Sequence, residues 1–310
     1  MTTTSTAGGP ETTSGGPGGG STASGHRVSV ALHNTPALRL GGLLAGPVAW
    51  LGVVYVGSLV VLLISAFWTV DDYTGALIRS FTLTNFQTMV TQPVYWHIIG
   101  RTVAIALAVT VFDFLVALPM AFYMAKVASP RSRRWLVVAI LTPLWSNYLV
   151  KAYAWLVMFS NGGLVDWVVR PFGIPNPGLS TTATVITLAY LWLPYMVLPL
   201  FAGLERLPES ILQASSDLGA RPSYTFRRAV LPMVTPAVLA GCITTFSLSL
   251  GDYIAVSIVG GTTQMIGNVI LSNVGSANNL PFAATLAIVP AVIMLILLFA
   301  VRRTGALDAM

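Results

Sequence analysis

Three ionisable side chains stand inside or beside long apolar runs of this sequence: Asp113, Lys151 and Asp252. At the centre of a membrane helix an ionised group costs on the order of 2.5–3.5 kcal/mol, so a residue kept there is expected to bind, relay or pair. At about 1.5 Å per residue, Asp113 falls roughly 20 Å from Lys126 and Asp252 roughly 24 Å beyond Pro236, in the outer half of a span. Lys151 falls at a depth similar to that of Asp252. Two chemistries fit these groups. A carboxylate with aromatic faces, Asp252 with Tyr253 and Trp145, suits the passage of an organic cation, with Asp113 as a second candidate on the path. The same groups also fit internal glue, Asp252 paired with Lys151 and Asp113 with a neighbouring helix. Lys151 would repel a cation and is expected to be a gating or structural charge.

Other chemistry lacks its residues. A P-loop needs Gly-Lys followed by Ser or Thr to hold a triphosphate. The two lysines, Lys126 and Lys151, do not follow a glycine. His26, His33 and His97 are scattered and Cys242 is alone, so neither a metal cluster nor an intrachain disulfide is expected. Cys242 reads as a small apolar packing residue. The chain is therefore expected to have no catalytic residues, no metal and no cofactor of its own.

The elements that would position these charges are membrane helices. Hydrophobic residues make up 55% of the chain and charged ones only 8%, against roughly 25% charged in a soluble domain. A span needs roughly 20 apolar residues, and six stretches qualify: Leu40–Phe67, Ile98–Ala125, Trp135–Phe159, Ala183–Leu204, Pro236–Ile258 and Phe282–Val301. Their unbroken apolar character points to helices and not to a barrel. The expected fold class is all-α integral membrane. Arginines and lysines concentrate in alternate connections, Lys126 to Arg134, Arg206 to Arg228, and Arg302 with Arg303. This positive-inside pattern places both termini in the cytoplasm. It also accounts for the net charge of +6 without a nucleic-acid partner. Residues 1–36, rich in Gly, Ser and Thr, are expected to be a disordered cytoplasmic tail, and residues 37–310 the membrane domain. Among the connections, Val70–His97 is a long outer loop with Asp71 and Asp72.

The inner loop of residues 205–232 is unlike an ordinary connection. Pro208 suits the first turn of a helix and Gly219 suits the end of one. Ile211, Ser215 and Leu218 share a face, and Ala214, Ser215 and Ser216 keep the profile low enough for another protein to come close. Pro222 can open a second short helix, and Pro232 and Pro236 are expected to redirect the chain into the fifth span.

This loop resembles the EAA loop of ABC importer permeases, at Gln213, Ala214, Ser215, Gly219 and Val230-Leu231-Pro232. Gln213 stands where that family usually has Glu, and Ser215 where it has Ala. Asn147 to Trp155, Asn161-Gly-Gly-Leu164, Leu193 to Pro199, Ala240-Gly-Cys242 and Ile266 to Ile270 are similar to the spermidine/putrescine-type permeases, more to their first subunit than to their second. The resemblance runs from about Leu40 to Arg303. It implies a type I importer permease fold of six transmembrane helices, multi-pass in the cytoplasmic membrane. It also implies partners: a second permease subunit, an ATPase dimer carrying ATP and Mg, and an extracytoplasmic solute-binding protein. Gln213, Ala214, Ser215, Asp217, Gly219, Ala220 and Pro232 would then couple to the ATPase. The solute would be small and polyamine-like. An ion-coupled secondary transporter using Asp113 and Asp252 is the alternative, and a non-transporting membrane assembly factor a third. The charge pattern makes a direct prediction: reporters fused after Met310 and within residues 160–182 fall in opposite compartments, and finding both on one side overturns the topology.

Overall fold

Proline sets the start of the long helices. Its fixed φ and missing N–H suit the first helical turn, and Pro93, Pro130 and Pro222 each open one. In the computed structural model the described residues are 36–71 and 74–303. The expected tail up to Thr35, with His26 and His33, and also Asp72, lie outside them. Two units are distinguished, residues 1–61 and 62–310. In the first, helix α1 (Pro36–Leu51) passes through a π-helical turn (Gly52–Val56) into α2 (Gly57–Ser65), whose last four residues belong to the second unit. Val48, Trp50, Val53 and Tyr55 are exposed along it, as suits a helix that is apolar all round.

The second unit opens with a two-stranded antiparallel hairpin, β1 (Thr69–Val70) and β2 (Leu77–Ile78), in which Thr69 faces Ile78. Its turn is closed by Asp71, whose carboxylate accepts from the Thr74 N–H at 2.8 Å. A short helix α3 (Thr84–Thr91) follows, so the expected outer loop is largely structured. Asn85 of α3 donates to the carbonyls of Ala66 and Trp68 at 3.1 and 2.8 Å, and Thr285 donates to Ala66 at 3.2 Å. These bonds satisfy carbonyls that α2 leaves open at its end.

The core of the second unit is made by three helices: α4 (Pro93–Phe122, continued by a π turn to Val127), α8 (Thr181–Glu205) and α11 (Leu231–Leu250). Towards the end that carries the residue 205–232 loop, Ala117, Ala121, Met196, Leu200, Leu204 and Val234 pack together. Farther along, Val109 meets Leu188 and Leu191, and Ala106 meets Phe246 and Leu250. Close helix approach depends on small residues, as it commonly does between membrane helices. A Cβ placed on Gly203 would lie 2.5 Å from the Ala237 Cβ, and one on Gly241 would lie 2.8 Å from the Met196 sulfur. Helix α14 (Leu280–Arg303) is the last described element.

Among the described residues, five helices are long and apolar enough to cross a membrane, or six if one bent pair counts as a span. Four expected spans are found with shifted ends, at Leu44–Ser65, Pro93–Val127, Thr181–Glu205 and Leu280–Arg302. Two differ. The expected third span is two helices, α5 (Pro130–Trp145) and α6 (Tyr148–Phe159), bent by 95° at Ser146–Asn147. Asn147 caps α6 by accepting from the Leu149 N–H at 2.9 Å, which gives the chain a fresh helix start where an apolar run shows no interruption. The expected fifth span ends at Leu250, eight residues before Ile258 and ahead of Gly251-Asp252-Tyr253, and a separate helix α12 (Ile254–Val259) follows. At its other end it starts earlier than expected. Pro222–Leu250 is one continuous helix in which α10 (Pro222–Thr225) joins α11 through a π turn at Phe226–Val230. Pro232 and Pro236 therefore do not redirect the chain, and a π turn beside Pro232 accommodates its missing donor. The other expected outer loops carry helices as well, α7 (Leu164–Val169) and α13 (Ile266–Gly275).

The Gly203 contact carries a prediction. Gly203→Val should force α8 and α11 apart and destabilise the protein by about 1–3 kcal/mol, read as a lower melting point in detergent. Gly100→Ala, where an added Cβ meets nothing within 4 Å, should leave the melting point unchanged or raise it.

Candidate functional site

Two groups of the sequence-predicted residues come together in the structure, at opposite ends of α11. At the inner-loop end, helix α9 (Glu209–Asp217) begins after Pro208 and stops at Gly219, whose φ of +74° is open to glycine and strained for other residues. The Ala220 N–H returns to the Ser215 carbonyl at 3.0 Å and the Gly219 N–H to Ser216 at 2.9 Å, a helix end of the left-handed type. Gln213, Ala214 and Asp217 are exposed, and Leu218 is 88% exposed. Ser215 does not belong to that outward surface. Its hydroxyl lies 2.6 Å from the Thr225 hydroxyl and ties α9 to α10, so the expected common face of Ile211, Ser215 and Leu218 divides. Leu218 points out, while Ser215 points into the loop. Ala220 lines a cleft of about 200 Å³ with Phe122, Leu212, Thr225 and Phe226. Pro232 is exposed near the start of α11.

The loop is also fastened to the preceding inner turn. Lys126 donates to the Leu207 carbonyl at 2.7 Å. Arg133 donates to the carbonyls of Met124 and Ala125 at 3.0 and 2.9 Å, and to Glu205 at 2.8 Å. The Arg133–Glu205 pair is partly exposed and contributes little alone. The guanidinium fork, however, reaches three partners at once.

At the other end, the breaks in α5–α6 and α11–α12 meet. The Tyr148 hydroxyl donates to the Asp252 carboxylate, and Asp252 Oδ1 accepts from the Ala255 N–H at 3.0 Å. Asp252 is buried, and it lies in the break and not within a fifth-span helix as the sequence suggested. The Tyr148 ring is set by Trp192, 5.9 Å away between centroids and nearly parallel. The proposed Asp252–Lys151 pair is not formed; Lys151 donates instead to the Pro143 carbonyl at 2.9 Å, near the end of α5. Trp145, at the end of α5, is 87% exposed, and Tyr253 is partly exposed beside Asp252. The Tyr253 carbonyl is held by the Asn268 amide at 3.0 Å, and that amide also reaches the Ser257 hydroxyl at 2.7 Å.

Asp113 joins neither group. It is fully buried on α4, and both of its oxygens lack a hydrogen-bond partner among the described residues. Thr187 and Trp192 of α8 and Thr245 and Ser249 of α11 bury unpartnered polar atoms in the same three-helix core. Sequence reasoning missed Tyr148, Thr225 and Asn268 as partners of the chosen residues, and Leu218 as an exposed apolar tip. Only Leu218 carried a readable signal, a large apolar residue beside a helix-ending glycine.

Comparison with known proteins places this geometry. The family described as binding-protein-dependent transport system inner membrane component matches residues 117–304, which include the inner loop, Tyr148 and Asp252 but not Asp113. The chain is 41% identical over 299 residues to the inner membrane ABC transporter permease protein YdcU of Escherichia coli, covering 92% of this chain and 95% of that one. It is 31% identical over 231 residues to the spermidine/putrescine transport system permease protein PotB of Haemophilus influenzae, covering 73% and 80%. Among solved structures, a chain of a bacterial ABC transporter importing the acidic polysaccharide alginate aligns with TM-score 0.73 at 14% identity, covering 90% of this chain and 98% of that one. A chain of the MetNI methionine ABC transporter aligns with TM-score 0.55 at 16% identity, covering 71% and 99%.

The junction at Asp252 yields a measurable expectation. Tyr148→Phe removes a donor from a buried carboxylate and should cost about 1.5–3 kcal/mol of stability, read from the melting point of the purified protein. Because Lys151 is held by Pro143, Lys151→Met should not rescue Asp252→Asn, and the two losses should add. Rescue in the double variant would restore the Asp252–Lys151 ion pair as the better account.

Proposed function

The chain belongs to the family of binding-protein-dependent transport system inner membrane components, the permease subunits of type I ABC importers in the cytoplasmic membrane, and from that premise we propose that its solute is a small organic cation of polyamine type. It is the similarity to a spermidine/putrescine permease over 73% of the chain that carries the substrate class. The same membership supports the ATP-driven reading and gives nothing to an ion-coupled one.

In this reading an extracytoplasmic binding protein delivers the solute, and a second permease subunit forms the other wall of the path. An ATPase dimer, which holds ATP and Mg, docks on α9. Both termini and the residue 205–232 loop face the cytoplasm. Gln213, Ala214, Asp217 and Leu218 present the docking surface, Gly219 sets the turn beneath it, and Ser215, Ala220 and Pro232 hold its base. What supports the assignment is the combination of a short helix with exposed small residues, a left-handed glycine ending it, and bonds that tie it to α4 and α10. At the opposite end Trp145 and Tyr253 offer aromatic faces to a passing cation. Asp252 stands behind them as a carboxylate held by Tyr148, and Lys151 is structural. Asp113, in the three-helix core, is the second carboxylate assigned to the path.

The test is ATP-dependent uptake of radiolabelled spermidine and putrescine by the full importer in proteoliposomes, with its binding protein supplied. Gly219→Trp should leave the subunits assembled and ATP still hydrolysed while uptake falls at least about tenfold. An added Cβ at Gly219 meets no atom within 4 Å, so any loss comes from the turn and the docking surface and not from a clash inside the chain. Unchanged uptake in that variant rejects the docking assignment. A binding protein that carries an anion or a neutral sugar rejects the cation and leaves the importer standing.

A further inference from the structure

The helix that becomes the fifth span begins with a cluster of cations that none of the contacts above employs. Arg221, Ser223, Tyr224, Arg227 and Arg228 line an open cleft of about 690 Å³. All five are exposed. No carboxylate lines the cleft, and among the described residues none of its three guanidinium groups has an ion-pair partner. The arginines face away from the core because their neighbours face into it. Phe226 and Val230 pack with Leu204, Leu207 and Val234, and the Phe226 ring meets Phe122 edge-on at 5.8 Å.

Depth decides what such a cleft can meet. Pro222–Leu250 is one continuous helix, in which Arg228 is the last charged residue before an uncharged run that reaches Leu250. At about 1.5 Å per residue, Arg227 and Arg228 lie roughly 2–3 Å before that run, with side chains long enough to reach the headgroup layer. The headgroup layer on each side of a bilayer is about 5–7 Å thick. The two arginines therefore stand at the level of lipid phosphates, where the side chain of a soluble partner would have to displace headgroups to reach them. A guanidinium is a planar fork that binds phosphate oxygens in pairs, and Tyr224 and Ser223 add hydroxyl donors. The volume is that of a small-ligand site, larger than one phosphate needs, and Arg221 is a third cation in its lining.

We propose that Arg221, Arg227 and Arg228, with Tyr224 and Ser223, form a binding site for the phosphate of an anionic phospholipid headgroup at the foot of the fifth span. The assignment is independent of the solute that the importer carries. It places a lipid against the π turn that joins α10 to α11, at the base of the inner loop.

The purified importer, delipidated in detergent and then exposed to phosphatidylglycerol or phosphatidylcholine, is examined by native mass spectrometry. The wild type should retain phosphatidylglycerol in preference to phosphatidylcholine. Arg227→Gln with Arg228→Gln should lower that retention by at least about tenfold, with the melting point and the associated ATPase unchanged. Arg227→Lys with Arg228→Lys, which keeps the charge but loses the fork, should retain an intermediate amount. Equal retention by wild type and the Gln variant overturns the proposal. Displacement of phosphatidylglycerol by inorganic phosphate overturns the lipid as the source and leaves a free-phosphate site. Loss of the ATPase with lipid retention unchanged gives the surface to the ATPase and overturns the proposal as well.

Discussion

Inside a bilayer there is no water to satisfy a freed backbone group, so every interruption of a helix must be completed by side chains. The structure meets this constraint with its few charges. Where α5 stops, the Pro143 carbonyl receives the Lys151 ammonium. Where α12 starts, the Ala255 N–H is received by Asp252. At the inner turn, Lys126 and Arg133 cover the carbonyls of Leu207, Met124 and Ala125. Cations sit at helix C-terminal carbonyls and an anion at a helix N-terminus, which is also the sense favoured by the helix dipole. The expense of placing each of these charges is offset by a backbone group that would otherwise be orphaned.

This reinterprets the charges that first drew notice in the sequence. Asp252 and Lys151 lie at similar depth, and opposite charge makes a pair the simplest guess. Each instead serves a different break, and Tyr148 supplies the second partner that Asp252 needs. The Tyr148 hydroxyl brings no charge to the junction, whereas a salt bridge would have set the Lys151 ammonium against the carboxylate. Asp113 has no such partner among the described residues. It lies within helix α4 in the three-helix core, where hydroxyls of α8 and α11 are also buried and unpartnered, and not at a helix end.

How much of this was legible follows from what periodicity can report. Apolar length revealed the spans, because covering the hydrocarbon takes a fixed number of residues and four stretches match observed helices within a few residues. The same measure is blind to direction. The 95° bend at Ser146–Asn147 falls inside an apolar run and leaves hydropathy intact, though Pro143, Ser146 and Asn147 carried the chemistry of a stop and a cap. The fifth span misled at both ends, since prolines that usually break a helix sit beside a π turn that absorbs them. Local signals in the inner loop did better: Pro208 and Gly219 bound α9 as their conformations require. The Tyr148–Asp252 contact joins residues 104 positions apart, and nothing in the local pattern of either residue points to the other.

In the proposed docking role, the fastenings of the inner loop decide how a displacement of α9 would be passed on. A short helix that docks on another protein transmits force only if its own attachments are stiffer than its contact. Helix α9 is held at its start through Leu207 to Lys126, and midway through Ser215 to Thr225. Glu205, just before it, is held by Arg133. These attachments lead to the ends of α4 and α5 and to the first turn of the fifth span. A displacement of α9 is therefore shared by three helices and not absorbed in a loose connection. The Ser215–Thr225 bond explains why a serine is useful at a position where the related loops carry alanine. Its hydroxyl adds a link inside the loop, on the side away from the exposed surface, without changing the profile offered to a partner. Replacing it with alanine would leave that outward surface intact and loosen what lies beneath it, so surface complementarity and mechanical coupling become separable properties of the same helix.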